Sequence, residues 1–97
     1  MKRTLFPEVV QVAARPGHRL LVFFNDGMEG EIEALPLLKG EVFKPLLDEQ
    51  TFRSTLTVLN HTVAWDLAGK RDETQCIDLD PIELHRLAIS SRERAKA

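Results

Sequence analysis

Apolar residues alternate along Arg19 to Phe24, with Leu20, Val22 and Phe24 pointing one way and Leu21 and Phe23 the other. A strand that is apolar on both faces is usually central or covered twice. Before it, Val9, Val10 and Val12 form a β-branched run that ends at Arg15-Pro16-Gly17-His18, where Pro followed by Gly suits the middle of a type II turn. After it, Met28-Glu29-Gly30-Glu31-Ile32-Glu33 returns beyond Asn25-Asp26-Gly27. A two-residue loop would set Phe24 against Glu29 and Val22 against Glu31, an acidic row beside an apolar one. A three-residue loop pairs Phe24 with Met28, Val22 with Gly30 and Leu20 with Ile32. A one-residue slip swaps faces, so the second register is predicted, with Gly27 at positive φ. Val10, Val12, Leu21 and Phe23 are then expected to leave a second apolar face on the meander.

The pattern turns irregular from Ala34 to Phe52, where Leu35, Leu37, Leu38, Phe43, Leu46, Leu47 and Phe52 are broken up by Pro36, Gly40 and Pro45. Short turns with a helical turn after Asp48 are predicted, roofing one face of the sheet. A second hairpin follows. A loop of Asn60 and His61 pairs Val58 with Val63 and Leu56 with Trp65. Asp66 to Gln75 reads as a polar loop. Asp80 as N-cap, Pro81 at the first helical position and Glu83 at the third start a C-terminal helix in the manner of a capping box. That helix is expected to run to about Arg92 and dock Leu84, Leu87 and Ala88 on the sheet. The predicted fold is therefore α+β. It is an antiparallel meander plus a second hairpin, an irregular middle segment and a C-terminal helix, all in a single domain over residues 1–97.

Composition adds bounds. At 97 residues, 43% hydrophobic and 29% charged, the chain reads as one globular domain, and no apolar run reaches the ~20 residues that span a bilayer. Met1 to Pro7 lacks the apolar stretch of a signal peptide, and the single Cys76 cannot form an internal disulfide, which together favour the cytoplasm. A net charge of −2 exerts no global pull toward nucleic acid.

Leu20, Val22, Phe24, Asp26 and Gly27, then Leu37, Phe52, Val63 and Trp65, then Asp78, Leu79, Asp80, Pro81 and Leu84 resemble, in order and spacing, a bacterial family known as domain of unknown function 2442. The resemblance covers about residues 9–84, and the loop from Leu67 to Cys76 is longer than is usual in the family. It implies an α+β fold, a prokaryotic source and no assigned activity. Some longer relatives add a helix-turn-helix, and many short members resemble components of toxin–antitoxin pairs. No helix-turn-helix is expected within these 97 residues, which leave no room for one after the one predicted helix.

Candidate chemistry is sparse. His18, His61, His85 and Cys76 lack the paired short spacing of zinc ligands, so no metal and no cofactor is expected. Asp72, Glu73 and Asp78 around Cys76 oppose a thiolate. Glu29, Glu31 and Glu33 read as a solvated strand face rather than a paired-carboxylate site. No catalytic residue is assigned. On the helix, Ile82 and Ile89 form a second apolar stripe flanked by His85, Arg86 and Glu93, a candidate interaction surface. Arg86, Arg92, Arg94 and Lys96 make the C-terminal end basic, a weaker candidate contact for nucleic acid. The expected function is a non-catalytic interaction or oligomerisation module that binds itself as a homodimer or another protein. A nucleic-acid-linked regulator or antitoxin, and an enzyme with an unrecognised site, are the alternatives.

Overall fold

In a computed structural model that describes residues 7–67, 69 and 77–96, with side chains through residue 90, two three-stranded antiparallel sheets share one core. The first sheet has the order β1 (Val9–Arg15), β2 (Arg19–Phe24), β3 (Glu29–Glu33). Its second hairpin takes the expected register. Leu20 pairs with Ile32 and Val22 with Gly30, and the Phe24 N–H donates to the Met28 carbonyl at 2.9 Å, with Gly27 at φ 87°.

Strand β1 departs from simple alternation. Val9 pairs with Phe24 and Gln11 with Phe23, so Val10 is the extra residue of a β-bulge. Strict alternation would set Val9 and Val12 on opposite faces. The bulge turns both inward, where Val9 is buried and Val12, opposite Val22, packs on the core. Val12 therefore belongs to the inner face rather than the second apolar face the sequence predicts. Val10 is left 58% exposed.

The middle segment forms 3-10 turns at Leu35–Leu37 and Glu41–Leu47, then helix α1 (Glu49–Ser54). Asp48 caps α1 by accepting from both the backbone N–H and the hydroxyl of Thr51. Leu38, Leu46 and Phe52 are buried as the expected roof, and Leu37 and Phe43 pack against them. Leu35 and Leu47 do not join it, being 48% and 51% exposed. In the second turn Phe43 and Leu46, three apart, share the inner side, which leaves the neighbouring Leu47 outside.

The second sheet has the order β4 (Leu56–Leu59), β5 (Thr62–Trp65), β6 (Ile77–Asp78). Its hairpin pairs Val58 with Val63 and Leu56 with Trp65. Asn60 and His61 both have positive φ, as a two-residue primed turn requires. Strand β6, which pairs Trp65 with Ile77, has no counterpart in the sequence reading. The sheets meet where the Val9 N–H donates to the His61 carbonyl at 2.9 Å. Trp65 is fully buried and donates its indole N–H to the Phe52 carbonyl. His18, buried at positive φ in the β1–β2 turn, donates from Nε2 to the Leu46 carbonyl at 3.0 Å and lies 4.8 Å from the Phe52 ring. It is a satisfied core histidine joining the first turn to the roof.

Helix α2 (Pro81–Lys96) begins at Asp80, whose side chain accepts the Ile82 N–H at 2.9 Å. Glu83 does not close a capping box, because its carboxylate pairs with Arg86 one turn on. The helix extends beyond the expected end near Arg92. It docks through Leu84 and Ala88, both fully buried, with Leu87 beside them. Gly30 of β3 lets it come close, since a Cβ there would lie 2.9 Å from the Ala88 Cβ and carbonyl oxygen.

Candidate functional site

Three surface regions carry the residues singled out by the sequence. The first is the turn Phe24-Asn25-Asp26-Gly27, where the backbone reverses and a side chain from α2 reaches it. Asp26 accepts the Met28 N–H through Oδ1 at 2.9 Å, which fixes the turn locally. Its other oxygen lies 2.8 Å from His85 Nε2. The His85 ring stands edge-on to Phe24, with centroids 4.8 Å apart. The Met28 N–H, and after it His85, hold the Asp26 carboxyl below its usual value against partial desolvation. An imidazole held by a carboxylate is a fixed tautomer, the arrangement a general base would use. Here the nitrogen that faces the carboxylate and the ring edge on Phe24 make it a clasp between the hairpin turn and the helix.

The second region is the outer side of α2. Ile82 is 50% exposed and Ile89 is half-buried. Arg86 is exposed and paired with Glu83. His85 does not flank this stripe freely, because it turns toward Asp26 and its side chain keeps 19% exposure. The side chains of Arg92, Glu93, Arg94 and Lys96 lie outside the described residues, as do Cys76 and most of the loop from Leu67. Among the described residues no group of histidine, cysteine and acidic side chains is arranged to hold a metal ion. No helix among them is long and apolar enough to cross a membrane.

The third region is the outer face of the first sheet. Cross-strand pairing puts Gln11, Phe23 and Glu29 in one row, Ala13, Leu21 and Glu31 in the next, and Arg15, Arg19 and Glu33 in the third. Leu21 and Phe23 are half-buried but pack outside the core cluster. Arg15 reaches Glu31 at 3.5 Å across β2.

The family model described as "Protein of unknown function (DUF2442)" matches residues 9–90. The chain belongs to this family. The matched span runs from the first residue of β1 through the docking stripe of α2, so it takes in both sheets and the clasp. In this DUF2442 chain the Phe-x-Asp-Gly turn has a physical account. Phe24 fills the core, Asp26 holds the turn and the helix, and Gly27 supplies the positive φ. The clasp was not foreseen from sequence, since His85 lies 59 residues from Asp26 and only the packed helix brings them together. No curated protein and no solved structure matches the chain.

Proposed function

We propose that this DUF2442 chain is a non-catalytic interaction module of a small prokaryotic protein, one that binds itself or another protein. The reading is carried by the outer face of the first sheet. Leu20 and Val22 of β2 are fully buried, while Leu21 and Phe23, alternating with them, stay outside the core. Scattered surface apolar residues are normal on any protein. Two adjacent ones on a central strand, with Ala13 beside Leu21, form a stripe instead. Ile82 on α2 is exposed, as are Val10, Val42 and Leu47 elsewhere on the described surface.

The test is photo-cross-linking in cells with a photoreactive residue in place of Phe23. A discrete adduct is expected, with a second copy of the chain or with another protein. The same residue in place of exposed Lys39 on the roof serves as control. Adducts at position 23 no different from those at position 39 would overturn the reading.

A further inference from the structure

We infer that the outer face of the first sheet binds the same face of a second copy, across a two-fold axis parallel to β2. This rests on the interaction reading above and names its partner. The face has a directional charge layout. Strand β3 presents Glu29, Glu31 and Glu33, and β1 presents Gln11, Ala13 and Arg15, with Phe23, Leu21 and Arg19 of β2 between them.

Two sheets can meet face to face about an in-plane axis in two simple ways. An axis perpendicular to the strands stacks β3 on the second copy's β3, which puts one acidic column on another. That arrangement is repelled. An axis parallel to the strands stacks β1 on the second copy's β3. Arg15 then faces Glu33, Gln11 offers its amide to Glu29, and Leu21 and Phe23 meet their own counterparts at the axis. Arg15 pairs within its own chain with Glu31 at 3.5 Å, so it must swing back over β1 and release Glu31 to take up Glu33 of the second copy. Arg19 meets its counterpart at the end of the axis, with a Glu33 on either side. Aligned packing of two sheets ~10 Å apart accommodates this pairing. A face three strands wide and five residues long covers only roughly 240 Å², so the dimer belongs among weak, salt-sensitive associations.

Sedimentation equilibrium on the whole chain, from about 10 µM to about 1 mM at low salt, tests the inference. The parent is expected to dimerise within that range. Arg15→Glu alone sets Glu against Glu33 twice per dimer, and Glu33→Arg alone sets Arg against Arg15 twice. Each should weaken association about tenfold or more. An equimolar mixture of the two variants restores both pairs and should associate as the parent does. Both positions are exposed, and melting curves matching the parent's would show that the variants fold. A parent that stays monomeric throughout, single variants that dimerise unchanged, or a mixture no tighter than either variant alone would each overturn the inference. A monomeric parent together with a discrete cellular adduct to another protein at position 23 would overturn this inference and leave the interaction reading standing.

Discussion

The two faces of the first sheet are built from the same strands yet meet different surroundings. On the inner face, Leu20, Val22, Phe24 and Ile32 are buried beneath the roof, the second sheet and α2. On the outer face, Leu21 and Phe23 lie between Gln11 and Ala13 on one side and Glu29 and Glu31 on the other. Neighbouring residues of β2 with the same chemistry thus do different work. The inner set holds the fold, and the outer set lies outside the core cluster. Which role a leucine has depends on the elements packed above it, not on its own hydrophobicity.

The sharpest way to break this contrast is Leu20→Ala. Leu20 is fully buried, and removing its side chain leaves a cavity among residues that relax only in part. Thermal or denaturant unfolding should show a loss of about 2–5 kcal/mol. A loss under about 1 kcal/mol would mean the inner face is not the core.

Gly30→Ala should have the next largest effect. The added Cβ would meet the Ala88 Cβ and carbonyl oxygen at 2.9 Å and its Cα at 3.0 Å, much of it backbone that cannot swing aside. Helix α2 must move off β3 or strain, at about 1–3 kcal/mol. Unfolding curves measure that cost. A Gly30→Ala protein that unfolds as the parent does would mean the helix does not seat on Gly30.

How much of this was legible in the sequence depended on the range of the interaction. Both hairpin registers could be read, because alternation has a period of two and the turn residues limit the loop. Asp80 and Pro81 marked the helix start, because a cap is a local hydrogen bond. The bulge at Val10 could not be read, since Val9-Val10-Gln11-Val12 fits either inward set until β2 is placed beside it. The roof was legible as a segment but not residue by residue, and Leu35 and Leu47 point outward. Strand β6 is two residues long, too short for a period to show. The clasp from Asp26 to His85 and the close approach of Ala88 to Gly30 both depend on where the helix lands, which no local pattern states. In the candidate interaction stripe of α2, helical spacing showed Ile82 as exposed, but the turn of His85 toward Asp26 was hidden until the helix was docked.

Acid dependence sharpens the account of how the inner face is closed, with a smaller effect. The Asp26 carboxyl is held below its ordinary value of 3.8, first by the Met28 N–H and then by His85. Its folded pKa is thus lower than its unfolded one, so the unfolded chain binds the proton more readily. The stability this contributes is fully present above about pH 4 and is lost as pH falls through the lower folded pKa. Asp26→Asn removes that titration. Its melting temperature should fall less steeply than the parent's as pH drops below about 4. Parallel acid limbs for the two proteins would show that the carboxyl contributes nothing to the clasp. Asp48, lowered by the Thr51 hydroxyl and then its N–H, shapes the same limb from the roof and is unchanged in the comparison.

The smallest effect on folding is expected one residue from the largest. Leu21 is half-buried on the outer face, beside Ala13 and Glu31, and packs outside the core. Leu21→Thr introduces a β-branched side chain suited to a strand and leaves the inner face untouched. Its unfolding free energy should stay within about 0.5 kcal/mol of the parent's, against several for Leu20→Ala. Association should respond in the opposite sense. If Leu21 meets its counterpart on the two-fold axis, a hydroxyl there weakens the dimer while the monomer melts as before. Measuring both quantities on the same sample separates the faces. A Leu21→Thr protein that melts well below the parent would place Leu21 in the core and dissolve the contrast. One that melts and associates as the parent does would remove Leu21 from the contact and leave the charged pairs to carry it.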